Sequence, residues 1–148
     1  MNGFRIIEYN QVYRDDLFFC YLAAKDAVGE IPRLREDLFD ISKNYFDKND
    51  MFWIALDDDN RVVGMVGTDT VSKTDMWLKR LFIKPAMKRS GIASALLNVV
   101  IAYGKSKNIS SIHTRFGDAY VEALRFYSRK GFIEGERSNG LRHFIKSI

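Results

Sequence analysis

The sequence predicts an α/β fold, a mixed and mostly antiparallel sheet of about seven strands with helices on both faces. Three observations predict it. Apolar runs parted by polar turns, "MFWIAL-DDDN-RVVGMVGTDT" and "GFIEGERSNGLRHFIKSI", read as antiparallel hairpins. Two stretches, 75–107 and 110–130, each read as a strand followed by a helix. The length of 148 residues, 47% hydrophobic and 28% charged, suits one domain over 1–148 with a single core, and not a disordered chain.

Phe4–Tyr9 reads as a short first strand. Gln11–Val28 carries Tyr13, Leu17, Cys20, Ala24 and Val28 on one helical stripe. Pro32 suits the start of a second helix, because Leu34, Leu38, Ile41 and Tyr45 then recur at spacings of four, three and four. Met51–Leu56, the "DDDN" turn and "RVVGMVGTDT" form the first hairpin. Asp75–Ile83 is the next strand, closed by Pro85. Gly91–Lys107 places Ala93, Leu96, Leu97, Val100, Ile101 and Gly104 on one helix face. Ser110–Phe116 is a strand and Asp118–Lys130 a helix. In the terminal hairpin, Asn139-Gly140 fits a type I′ turn. The order is β-α-α-β-β-β-α-β-α-β-β, with no internal repeat or low-complexity segment.

Charge and composition narrow the function. Twenty-three Lys and Arg against 19 Asp and Glu give +4. That excess suits a phosphorylated ligand but is small for a nucleic-acid binder, and no helix is basic along its length. No nucleic-acid partner is therefore expected. The single cysteine, Cys20, excludes an internal disulfide and reads as a reduced core thiol. The N-terminus has no extended apolar stretch of the signal-peptide kind. The longest apolar run, Ala95–Tyr103, is interrupted by Asn98 and too short to span a membrane. A soluble cytoplasmic protein without a membrane partner is the expectation.

The stretch "KPAMKRSGIASALL", 84–97, carries the chemistry. A helix N-terminus presents unpaired N–H groups and partial positive charge, which favour phosphate. Gly91 permits close approach of backbone to a ligand, Ala93 is nearly as small, and Ser94 adds a hydroxyl. Lys88 and Arg89 put positive charge at the rim. Neither G-x-x-x-x-G-K-[ST] nor G-x-G-x-x-G is present.

"LFIKPAMKRSGIASALL" resembles motif A of the GNAT family of acyl-CoA-dependent N-acetyltransferases: a strand, a proline, then Q/R-x-x-G-x-G/A opening a helix. Gly91 and Ala93 match, and Lys88 replaces the usual Arg or Gln. "YVEALRFYSRKGF" resembles motif B, N-x-x-A-x-x-x-Y-x-x-x-G-F. Ala123, Tyr127, Gly131 and Phe132 match, while Tyr120 stands at the asparagine position. Asp118, two residues earlier, would replace that amide only if the helix began differently.

The resemblance implies a GNAT-like sheet whose central parallel strands splay around acetyl-CoA, the co-substrate. The backbone of Leu81, Phe82 and Ile83 would bond its pantetheine arm, near Tyr120 and Ala123. The N–H groups of Lys88, Arg89, Ser90, Gly91, Ile92, Ala93 and Ser94 would hold the pyrophosphate. Lys84, Arg89, Arg125 and Lys130 are the candidates for the remaining phosphate charge. A backbone N–H near Phe82 would stabilise the oxyanion, and Tyr127 would protonate the leaving thiolate.

The implied reaction is direct attack of a primary amine, on a small molecule or a peptide, within a ternary complex and without a metal. Many members carry an acidic base on the central strand, where this chain has Lys79 and Arg80. Asp69, Asp75, His113, Glu122 or a water remain for that role, although each side chain also reads as a surface charge or a satisfied strand residue. His143 lies far along the chain from both motifs and carries little weight. The acceptor pocket would come from 11–49, where Asp15, Asp16, Glu30, Glu36 and Asp37 occur; acids in a cleft would favour a cationic amine. A non-catalytic acyl-CoA-binding or regulatory module is the alternative, and a homodimer through edge strands stays open.

Overall fold

The computed structural model describes residues 3–31 and 33–148. Its strands are β1 (Phe4–Glu8), β2 (Phe52–Asp57), β3 (Val62–Thr70), β4 (Asp75–Ile83), β5 (Ser111–Gly117), β6 (Ile133–Ser138) and β7 (Leu141–Ser147). The helices are α1 (Arg14–Ala27), α2 (Glu36–Phe39), α3 (Ile41–Asn44), α4 (Ile92–Ser106) and α5 (Val121–Arg129). One sheet runs β1-β2-β3-β4-β5-β7-β6. Its β4–β5 pair is parallel and the other neighbours are antiparallel.

The two parallel strands soon part. Asp75 pairs with Ser111, Met76 with Ile112 and Trp77 with His113, and the pairing stops there although β4 continues to Ile83. Just beyond, β4 carries a bulge against β3. Gly67 pairs with Lys79 but Met65 pairs with Phe82, so β4 holds one extra residue. Such an insertion bends a strand and raises its twist. Arg80 absorbs it with a left-handed φ of 59°, a conformation that costs a non-glycine residue about 1–3 kcal/mol. The Asp37 carboxylate holds Arg80 there through two bonds, Nε to Oδ2 at 3.1 Å and Nη2 to Oδ1 at 2.6 Å.

Both faces of the sheet are covered, and β2 shows how. Phe52, Ile54 and Leu56 point into a core with Leu17, Tyr21, Leu38 and Ile41, under α1–α3. Trp53 and Ala55 point the other way, into a core with Leu96, Leu97, Val100 and Tyr127, under α4 and α5. Gly67 belongs to the first of these layers. A Cβ there would lie 2.7 Å from both Phe52 Cδ2 and Tyr45 Cε1, two rigid rings with little room to yield. We expect Gly67→Val to cost about 1–3 kcal/mol, read as a lower denaturation midpoint at unchanged m-value.

The single helix expected from Pro32 onward is instead two short turns, α2 and α3. Pro32 itself lies outside the described residues. The chain breaks at Asp40 (φ −142°, ψ 84°), whose carboxylate accepts from the Lys43 N–H at 3.0 Å. Aspartate competes for backbone donors and favours caps over helix interiors. The apolar spacing nonetheless marked a real buried face, because Leu38, Ile41 and Tyr45 are each 3% exposed or less. Cys20 is buried as expected, and burial pushes its thiol up to about 12. Asn139 and Gly140 both have positive φ, as a type I′ turn requires. Among the described residues no helix is long and apolar enough to cross a membrane.

Candidate active site

Where β4 and β5 separate there is a cleft of about 520 Å³. Leu78–Phe82 of β4 form one wall and Thr114–Gly117 of β5 the other. Ala123 and Tyr127 of α5 also line it, and Lys25 and Glu30 reach it from the end of α1. Past Trp77 the β5-facing edge of β4 has no strand partner among the described residues. It therefore has backbone groups to offer an extended ligand.

The turn after β4 is built to leave donors free. Pro85–Met87 makes one 3-10 turn, then Arg89 (φ 65°) and Gly91 (φ 87°) adopt left-handed conformations. Alternating backbone signs of this kind turn successive N–H groups into one concavity. Gly91 is the N-cap of α4, and among the described residues no side chain caps the helix. The N–H groups of Ile92, Ala93 and Ser94 thus lack helical partners. A Cβ at Gly91 would meet no atom within 4 Å, so the concavity is open.

Lys88 and Lys84 depart from expectation, and Ser90 braces the turn. The Lys88 N–H is engaged by the Pro85 carbonyl at 3.3 Å, and the Lys88 side chain pairs with Glu122 at 2.9 Å. The Ser90 hydroxyl donates to the Met87 carbonyl, which stiffens the turn. Lys84 lies towards α1, where its charge acts on Asp16 and Cys20. The rim facing α5 keeps Arg89 and Arg125. Both join Lys88, the main cause, in holding the Glu122 carboxyl below its usual range. Ile92 is 1% exposed, in the core, so only its backbone faces the concavity.

Tyr127 is both packed and placed at the cleft. Its ring stacks on Phe116 (5.5 Å between centroids) and meets Phe132 edge-on at 5.0 Å. Burial raises its phenol above the ordinary range, with Thr114 working slightly against it. Leu81, Phe82, Tyr120 and Ala123 also line the cleft; Ile83 does not, since its side chain joins the core.

Tyr120 takes a part that the motif did not suggest. Its hydroxyl accepts from Lys25 Nζ at 2.7 Å and donates to Glu30 Oε1 at 2.7 Å, while Lys25 and Glu30 pair at 3.0 Å. Lys25 Nζ also stands 5.1 Å above the Phe82 ring. The residue at the asparagine position therefore ties the end of α1 to the start of α5 across the cleft. Burial opposes the Lys25 charge, but Tyr120 and Glu30 more than offset it and its pKa is raised. Asp118 does not substitute for the missing amide. It holds Arg142 (3.1 Å) and Arg137 (3.2 Å) on the terminal hairpin.

The base candidates separate by position. His113 Nε2 lies 2.7 Å from Asp75 Oδ1, and His113 Nδ1 lies 2.9 Å from His143 Nε2. Hydrogen bonding from His113, then from Thr74 and Ser72, lowers Asp75 to about 2, so it accepts and His113 Nε2 donates. Both imidazoles stack against Trp77, at 5.2 and 5.0 Å. His143, discounted on sequence distance, belongs to this chain because β7 places it opposite Arg115 on β5. That pairing is invisible without the strand register. Trp77 lines the cleft, whereas the two histidines and Asp75 stand behind it. Glu122 is taken by Lys88 on the outer rim. Asp69, paired across the sheet with Trp77, lines the cleft and has no ion pair or side-chain hydrogen bond among the described residues. Among the described residues no group of three or more His, Cys, Asp or Glu could hold a metal ion.

A parallel pair that opens into a cleft, with an uncapped helix N-terminus at its mouth, is the architecture of the N-acetyltransferase fold. A crystal structure of a GNAT-family acetyltransferase from Staphylococcus aureus Mu50 superposes with a TM-score of 0.91 at 27% identity, over 98% of this chain and 99% of that one. The PaiA N-acetyltransferase of Thermoplasma acidophilum, solved in complex with coenzyme A, shares the fold at a TM-score of 0.82 and 16% identity, covering 99% of each chain. Human N-acetyltransferase 8 is 30% identical over 102 residues, 65% of this chain and 44% of that protein. Rat N-acetyltransferase family 8 member 2 is 28% identical over 104 residues, 67% of this chain and 46% of that protein. The chain spans just under half the length of these two relatives. The model of the acetyltransferase (GNAT) family matches residues 10–132, and the chain belongs to that family.

Proposed function

We propose that the chain transfers an acetyl group from acetyl-CoA to a primary amine by direct attack in a ternary complex. The observation that carries this reading is one continuous feature. The unpaired edge of β4 leads straight into the open, uncapped N-terminus of α4. Such an edge suits the amide-bearing pantetheine arm, and such a terminus suits a pyrophosphate. Arg89 and Arg125 at the rim fit the remaining negative charge.

Acetyl-CoA, when bound, supplies a thioester carbonyl open to attack. The acceptor must arrive neutral, because an ammonium has no lone pair to give. Its proton passes to solvent water. A backbone N–H of the bulged stretch near Phe82 is a fixed donor for charge on the carbonyl oxygen. As the N–C bond forms and the C–S bond breaks, Tyr127 O–H donates to the departing sulfur. Its raised pKa keeps that proton in place through the neutral range. Tyr120, Lys25 and Glu30 tie the end of α1 to the start of α5 beside the acceptor.

Calorimetric titration with acetyl-CoA tests the cofactor half of this reading. One saturable site is expected, competed by free CoA and weakened by salt because phosphates contribute. Absence of binding would refute it. Binding without turnover on any amine would favour the non-catalytic module.

A further inference from the structure

The acceptor side of the cleft carries more positive charge than acetyl transfer itself uses. Lys25, Arg35, Lys79, Arg80 and Arg115 line the cleft, against Glu30 and Asp69. Two of these cations are matched in place, Lys25 by Glu30 at 3.0 Å and Arg80 by Asp37 at 2.6 Å. Arg35, Lys79 and Arg115 have no ion pair among the described residues. The whole chain exceeds neutrality by only +4, so three unmatched cations around one cleft are a local concentration.

The cofactor's phosphates do not account for them. Lys79 pairs with Gly67, and cross-strand partners share a face of the sheet. A side chain at Gly67 would point at Phe52 and Tyr45, in the layer under α1–α3. Arg115 lies over the Trp77 ring, 5.0 Å from its centroid, on the ring that also stacks with His143. The phosphate turn, by contrast, faces α5 through Lys88 and Glu122.

We propose that the acceptor is a small primary amine bearing a carboxylate, an amino-acid-type amine with an apolar side chain. This rests on the acetyl-transfer reading above. Lys79 and Arg115 hold the carboxylate, with Arg35 at the mouth. The guanidinium fork and the ammonium point charge together match its two oxygens. Trp77 is the floor for the side chain, and Val71 and Leu141, 56% and 40% exposed, are its apolar rim. Lys79 is three residues from Phe82 along β4, at most about 10 Å of strand. The long side chains of Lys79 and Arg115 let the carboxylate rest there while the amine reaches the acyl carbon.

The test compares matched sets built on phenylalanine, methionine and glycine: the free amino acid, its amide, and the amine lacking the carboxyl group. O-phosphoethanolamine is an added arm, and thiol release is the readout. At least one free acid should exceed its amide and its decarboxylated amine by about tenfold or more in kcat/KM, the scale of one charge-assisted contact. In Lys79→Met and Arg115→Met that ratio should fall towards one, with partial recovery in Arg115→Lys. Calorimetry of the preferred acid on the CoA-saturated protein should show binding that the double variant loses.

Thiol release with amides or plain amines equal to or above the acids overturns the carboxylate assignment and leaves acetyl transfer standing. Preference for O-phosphoethanolamine overturns it in favour of a phosphate-bearing amine. No thiol release with any amine, and no acid binding to the CoA complex, overturns both.

Discussion

Tyr127→Phe is expected to lower kcat by roughly 10²–10⁴-fold, the usual contribution of a positioned proton donor, while acetyl-CoA binding changes little. The asymmetry follows from where the residue sits. Its ring is held between Phe116 and Phe132, and phenylalanine keeps those contacts, so the fold and the cleft wall survive. What disappears is the hydroxyl on the cleft. The pH signature has a definite sign. A donor is lost only as pH rises through its folded pKa, and burial has moved the Tyr127 pKa up. Wild-type turnover should therefore show no fall assignable to this group below about pH 10. A rate limited elsewhere, or a thiolate that leaves unaided, would make the variant equal to wild type.

Gly91→Val is expected to raise the KM for acetyl-CoA by roughly 10–100-fold, the loss of one or two charge-assisted backbone contacts, with a much smaller effect on kcat. Gly91 sits at φ 87°, where a β-branched residue is strained. A new Cβ would meet no protein atom within 4 Å, so the strain falls on the backbone of the phosphate turn and not on packing. Gly91→Ala should show the same direction at lower amplitude. Melting temperatures of both variants separate loss of binding from loss of fold. A normal KM in a folded Gly91→Val protein would remove the phosphate role from this turn.

Much of the fold was legible because single elements carried their own punctuation. β4 is bounded by Asp75 and Ile83 in sequence and structure alike, with Pro85 behind it. Gly91 marked the start of α4, where a positive φ is needed. The break at Asp40 was not legible, since the apolar spacing across it continues unbroken while the backbone does not. Side-chain commitments across strands were equally hidden. Lys88 pairs with Glu122 and Lys84 turns towards Asp16, although the motif alone placed both near phosphate.

The site shows the same division. The resemblance to the two family motifs pointed to Tyr127, Phe82 and Ala123, and all three line the cleft. Tyr120 lines it too, but its link to Lys25 and Glu30 joins segments far apart in sequence. The acids of the first helices left open a pocket for a cationic amine or an ordinary solvent face. In the fold Asp16 is bound by Arg61 and the Val62 N–H, and Asp37 by Arg80. The charge left over is positive, and it assembles only when β4 and β5 bring Lys79 and Arg115 to one face.

Acetyl transfer to amines in this cleft is read out by thiol release from acetyl-CoA by the purified chain, with and without an amine acceptor. Release should depend on the amine, saturate in both substrates and be largely lost in Tyr127→Phe. Release that ignores the amine, or none across amines with and without a carboxylate, would contradict it.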